Sequence, residues 1–242
     1  MARAETGEAN VVGLAEALRR EGVIVRILGE GSNGGNITYP SAVRDPLATL
    51  GAVLKLLLIR DLAPEARGPR DAKSAASSKG LFHIWAERSG QDYRPDFGLA
   101  EVLASLPRFA TTSAFEAKAA LKIRSTDQAG LKARYASRFL AAWAERKGEF
   151  QERLGLLSWK AYASQGSGQR EVGEDFAASG RGGLRIVFSD KDARERAFLW
   201  MRGSGPEPVF RVMADVEGGS EADEAWLLAF HTDLVRAADS EE

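Results

Sequence analysis

A chain of 242 residues can form one large domain or two modest ones, each with its own core. Its 44% hydrophobic and 28% charged content is that of a soluble globular protein, and a formal net charge of −1 gives no basis for nucleic acid or an acidic membrane as partner. With no cysteine present, disulfides and thiolate metal sites are excluded.

The opening residues carry acids and no apolar stretch, unlike a secretory signal. The apolar patch at 50–59 is interrupted by Lys55 and too short to span a bilayer, so a cytoplasmic protein is expected. Val11, Val12, Leu14, Ala15 and Leu18 have the spacing of one helix face and predict a helix over 11–20, ended by Glu21 and Gly22. Residues 23–28, Val-Ile-Val-Arg-Ile-Leu, have the β-branched, apolar composition of a buried strand. A glycine-rich loop follows at 29–35. Asp45 and Pro46 then signal a helix start, an N-cap with proline at the first helical position. Leu47, Leu50, Val53, Leu54, Leu57 and Leu58 fall on one stripe of that helix. Residues 61–80, rich in small residues, proline and charge, read as loop. Short helices are expected at 81–88 and 97–106, the second stopped by Pro107.

The crossing into a second domain is expected at 112/113. Residues 130–147 predict an amphipathic helix whose Tyr135, Phe139 and Trp143, spaced by four, form a core stripe. The basic patch between Lys132 and Lys147 is balanced by Glu145 and Glu149 and reads as a solvated face. Strands are expected at 156–162, 184–188, 198–201 and 209–216, separated by Gly/Ser turns. Residues 165–169 read as a flexible loop and 189–192 as a hairpin turn. A last helix opens at Ser220, with Asp223 as capping-box partner and Trp226, Phe230 and Leu234 as its buried stripe. No internal repeat is visible. The expected fold is an α/β partial domain (helix, strand, binding loop, helix) over 1–112, followed by an α+β domain with an antiparallel sheet and packed helices over 113–242.

Two loops carry the chemistry. Between the last two strands runs Arg202, Gly203, Ser204, Gly205, Pro206, Glu207 and Pro208. Glycines flanking Ser204 open backbone conformations closed to other residues and let amides converge on one spot. Arg202 adds a planar, permanently charged fork that suits phosphate oxygens. The result is an anion cradle, with Arg211 on the outgoing strand as a further candidate; its bland alternative is a plain hairpin turn. Upstream lies the loop Gly29, Glu30, Gly31, Ser32, Asn33, Gly34 and Gly35. Its glycine spacing also fits the dinucleotide fingerprint, but that motif needs a helix to begin at once, and here the helix waits until Asp45. His83 and His231 read as helix-face residues and are assigned no role.

The two loops, in this order, resemble those of the α-D-phosphohexomutases, the phosphoglucomutase and phosphomannomutase superfamily. That family's phosphate loop usually reads Arg, a small residue, Ser-Gly-Thr-Glu-Pro; residues 202–208 follow it except that Pro206 stands at the threonine position. Residues 29–35 are similar to its sugar-binding loop. The resemblance covers the back part of the family's third domain (1–112) and its fourth domain (113–242). It implies that Glu30 and Ser32, with Asn33 as a second candidate for the serine's role, hydrogen-bond two sugar hydroxyls. It likewise implies that Arg202, Gly203, Ser204, Gly205, Pro206 and Arg211 surround the phosphate that is not transferred. The family's phosphoserine motif and its magnesium-binding aspartate run are missing from the sequence.

The expectation is therefore the C-terminal part of a phosphoglucomutase/phosphomannomutase-like enzyme, acting in intramolecular phosphoryl transfer on hexose phosphates. This chain would hold no catalytic residue and no cofactor, magnesium belonging to the complete enzyme, and would be inactive alone. Its partners would be a hexose phosphate and either a separate chain bearing the missing loops or a second copy of itself. The alternative is a non-catalytic remnant or a sugar-phosphate-binding module.

Proline offers a phosphate neither the N–H nor the hydroxyl that threonine supplies. Since a hydrogen bond to a charged group is worth about 1.5–3 kcal/mol, Pro206→Thr is expected to tighten glucose 6-phosphate binding about tenfold in a calorimetric titration. Equal affinity in parent and variant would show that the loop does not hold phosphate as the family's does.

Overall fold

The structure is a computed structural model and describes residues 2–30, 35–39, 43–61, 79–203 and 209–240. In chain order these form α1 (Glu8–Arg20), β1 (Ile27–Glu30), β2 (Gly35–Thr38), α2 (Pro46–Leu58), α3 (Leu81–Ser89), α4 (Leu99–Ser105), β3 (Phe109–Thr111), β4 (Ala120–Leu121), α5 (Gln128–Leu154), β5 (Ser158–Gln165), β6 (Gly168–Glu171), β7 (Gly183–Ser189), β8 (Glu195–Gly203), β9 (Phe210–Glu217) and α6 (Glu221–Asp239). The architecture is mixed, with six helices and a seven-stranded antiparallel sheet among the described residues. No helix among them is long and apolar enough to cross a membrane.

The chain divides into two compact units, one made of Met1–Gly34 and Arg108–Glu242, the other of Gly35–Pro107. The opening segment, however, groups with the C-terminal unit. Its anchor is Glu5, whose N–H donates to the Gly166 carbonyl (2.9 Å) and whose carboxylate accepts from the Gly183 N–H.

In the unit Gly35–Pro107, α2 begins as its sequence signals: the Asp45 carboxylate accepts from the Leu47 N–H at 2.9 Å, with Pro46 at the first position. Phe82, Ala86, Phe97 and Val102 form a small core, joined by Leu56, Leu57, Trp85 and Tyr93. Only part of the leucine stripe reaches it. Leu47 and Leu58 are 76% and 74% exposed, and Leu50, Val53 and Leu54 are exposed as well. Helix α3 follows Gly80, whose N–H donates to the Asp61 carboxylate. The same carboxylate lies 3.0 Å from His83 Nδ1, and the His83 ring stacks on Tyr93 with centroids 4.1 Å apart. Residues 62–78 of the expected loop lie outside the described residues.

In the other unit, the expected buried strand at 23–28 is corrected. The strand is Ile27–Glu30, and of the apolar residues before it Val23 and Ile24 are exposed, as is Ile27 itself. The Arg19 guanidinium donates to the Val25 carbonyl at 2.9 Å, holding this stretch on α1 rather than in a ladder. Composition reports the preference for extended backbone, but burial needs a covering face, and only Leu28 has one.

The main sheet runs β3-β9-β8-β7-β5-β6, with β4 also paired to β9, and each neighbouring pair in it is antiparallel. Strict alternation sends Leu184, Ile186 and Phe188 of β7, Leu199 and Met201 of β8, and Phe210, Val212 and Ala214 of β9 into one core. Helices α5 and α6 supply the rest of it. On α5 the expected stripe is buried, with Phe139 central: its ring lies 6.1 Å from Tyr135, 5.1 Å from Trp159 and 6.3 Å from Phe230. The helix outruns its expected end at 147 by about two turns. Gly148 inside it costs about 1 kcal/mol relative to alanine, which the burial of Phe150 among Trp143, Phe188 and Trp226 offsets. Gly155 ends it in the left-handed conformation (φ 68°), donating to the Gln151 carbonyl.

Residues 165–169, expected as a flexible loop, are instead the β5–β6 hairpin, turned through Gly166 at φ 57°. The turn after β7 forms as expected, its Asp190 carboxylate accepting from the Asp192 and Arg194 N–H groups. So does the capping box of α6, where the Ser220 hydroxyl and the Asp223 carboxylate each accept the other's N–H.

His231 is fully buried between α5 and β8. The Trp200 carbonyl can only accept, so His231 Nε2 carries the proton it receives (3.2 Å). Nδ1 of the neutral ring then accepts from the Tyr135 hydroxyl at 2.8 Å. Burial pushes the pKa from 6.5 down to about 4. The unfolded chain therefore binds more protons between these values, and this stabilisation is whole above pH 6.5 and lost as pH falls towards 4. The loss is on the order of 3 kcal/mol. Urea unfolding at pH 7 and pH 4.5 is expected to show a lower midpoint at the acid pH, and His231→Gln to be less stable at pH 7 with much of that dependence gone.

Candidate functional site

Strands β8 and β9 are consecutive in the chain, and residues 204–208, expected as a loop, lie between them outside the described residues. Their register pairs Arg202 with Arg211 and Gly203 with Phe210. Because Met201 and Gly203 face the core, Arg202 must face the opposite side, and Arg211, between Phe210 and Val212, faces that side too. The last charged residue before the loop and the first after it are thus cross-strand neighbours. Like charges so placed repel, and an anion between them relieves the repulsion.

Arg202 is one-third exposed. Its Nη1 donates to the Thr6 hydroxyl (2.8 Å) and lies 3.6 Å from Glu5 Oε1, while its buried Nε has no acceptor among the described residues. Arg211 donates from Nη1 to the Ala114 carbonyl at 2.8 Å. A Cβ on Gly203 would meet the end of the Gln128 side chain, which would have to move aside; the buried Oε1 of Gln128 has no donor among the described residues. Gln128 opens α5, so the helix start is packed directly under the strand that leads into the loop.

One turn further along α5 is Lys132, fully buried. Its ammonium donates to the Gly180 carbonyl (2.9 Å) and the Gly182 carbonyl (2.6 Å). Burial lowers its pKa to about 8; the Glu5 carboxylate pulls it back up and Arg202 pushes it down. Those influences place Glu5, Lys132 and Arg202 in one electrostatic neighbourhood. Lys132 is thereby corrected from a solvated-face residue to a core one.

Of the sequence-derived site residues, the structure brings Arg202, Gly203 and Arg211 together. Ser204, Gly205 and Pro206 lie outside the described residues, as do Ser32 and Asn33, and for Glu30 only its place at the end of β1 is described. Among the described residues no group of three or more His, Asp or Glu side chains could hold a metal ion. Glu5, Thr6, Gln128 and Lys132 were not anticipated. A lysine three residues before Tyr135, on the apolar stripe itself, was the one readable signal among them.

No family model matches the chain, and neither a curated protein nor a solved structure matches it.

Proposed function

We propose that this chain provides the sugar- and phosphate-binding half of a phosphohexomutase-like enzyme of the cytoplasm. Residues 1–112 would carry the sugar contacts and 113–242 the phosphate contacts. The observation that supports this reading is the cross-strand pairing of Arg202 with Arg211 at the two ends of the loop 204–208. Two guanidiniums on one sheet face, joined by a Ser-Gly loop, are a receptor for a phosphate dianion.

In this reading Arg202 and Arg211 grip the phosphate that is not transferred, with Ser204 and the Gly205 amide completing the cradle. Glu30 and Ser32 or Asn33 hold the sugar hydroxyls. Binding energy gathered at the remote phosphate then orients the reacting end of the sugar. The phosphoryl donor and magnesium would come from elsewhere, so the chain alone would not turn over.

A calorimetric titration with glucose 6-phosphate tests the loop. Arg202→Ala is expected to abolish binding and Arg211→Ala to weaken it about tenfold or more. Unchanged affinity in Arg202→Ala would overturn the proposal. Steady conversion of glucose 1-phosphate by the purified chain, given magnesium and a bisphosphate activator, would overturn its division of labour.

The exposed stripe of α2 supports a partner on the other unit, either the chain bearing the missing loops or a second copy. Light scattering is expected to show a mass that rises with concentration. The paired change Leu50→Glu with Leu54→Lys, an i,i+4 ion pair on that face, is expected to suppress the rise while the helix persists. A parent protein that stays monomeric over the same range would count against a second copy.

A further inference from the structure

The segment ahead of α1 places a carboxylate at the arginine end of the sheet. Glu5 is only 3% exposed. Its carboxylate accepts from the Gly183 N–H, from the Thr6 N–H (2.9 Å) and from the Thr6 hydroxyl (3.2 Å). The same Thr6 hydroxyl accepts from Arg202, and Glu5 Oε1 lies 3.6 Å from that guanidinium. On the backbone side the Glu5 N–H is tied to Gly166 in the β5–β6 turn. A carboxylate enters a protein interior only where charge and hydrogen bonds meet it, and here they come from Arg202, two N–H groups and a hydroxyl.

The strand beneath is shaped to admit it. A Cβ on Gly183 would stand 3.0 Å and 3.1 Å from the two Glu5 carboxylate oxygens and 2.8 Å from Trp200 Nε1. With glycine at 183 the carboxylate lies directly on the β7 backbone. These are the features of a bound-anion site: a guanidinium, a backbone N–H and a bare strand surface, filled by a side chain of the same molecule.

We infer that Glu5 is a resident anion, and that a phosphate ester gains Arg202 only by displacing residues 3–6 from the β7–β8 end of the sheet. This rests on the proposed phosphate reading of Arg202. A phosphate dianion set beside Glu5 would meet a carboxylate 3.6 Å from the same guanidinium, so the two anions repel and compete for Arg202. Thr6 reinforces the competition, because its hydroxyl engages the Arg202 Nη1 that a phosphate oxygen would use.

The test uses the full chain with glucose 6-phosphate as probe. Glu5→Gln keeps the size and the acceptor for Gly183 but removes the charge, and is expected to bind the ester about tenfold tighter than the parent, in line with one charged contact. Adding Arg202→Ala to it should abolish binding. Without any variant, saturating ester is expected to speed hydrogen exchange at the Glu5 and Gly183 amides of the parent by about tenfold or more, as their bonds are released. Equal affinity in parent and Glu5→Gln, with exchange at both amides unchanged by ester, would overturn the displacement while leaving the phosphate reading intact. No binding to parent or to Glu5→Gln would overturn the phosphate reading and the displacement with it.

Discussion

The register between β8 and β9 is the constraint on which the site depends. It is held by what lies on the inner side of the sheet: Leu199, Met201, Phe210, Val212 and Ala214 pack into the core that α5 and α6 cover. A slip of one residue would turn these outward and drive Arg202 and Arg211 inward, an exchange of several buried apolar side chains for two unpaired charges. The hydrophobic core thus fixes the sheet face from which the guanidiniums project. Gly203, the next inward position after Met201, lies against the end of the Gln128 side chain.

Several buried polar groups of this unit are paired across elements distant in sequence. Glu224 at the start of α6 accepts from the Thr112 hydroxyl and from Lys118 (2.7 Å), tying the helix to the segment after β3. Asp215 accepts from Thr111, and burial raises its pKa. Lys132 closes the 180–182 turn, and His231 joins α6 to α5 and β8. Such groups add less net stability than apolar burial does, but leaving any one unpaired is costly, which favours a single arrangement of the helices on the sheet.

What the sequence disclosed follows the range of the forces involved. Helix starts were legible at Asp45–Pro46 and at Ser220 with Asp223, because a cap is written within four residues. The aromatic stripe of α5 was legible because periodicity survives without knowledge of partners. The strand at 23–28 was misread because burial is not a local property, and β6 was missed because its glycines and polar residues carry a hairpin without an apolar face. At the site, Arg202, Gly203 and Arg211 could be picked out from their own stretch of chain. Glu5 could not, since the N–H it accepts lies 178 residues away. Nor could Lys132, whose acceptors follow it by 48 and 50 residues.

Helix α5 has a mechanical consequence. At 27 residues it is about 40 Å long. Its first turn supports Gly203 through Gln128, while Arg153 in its last turn donates to the Asp223 carboxylate at 2.9 Å. Asp223 is itself the capping-box residue of α6. The helix is one continuous strut with β8 at one end and the cap of a second helix at the other. A change at Gln128 and a change at the cap of α6 therefore act on the two ends of the same helix.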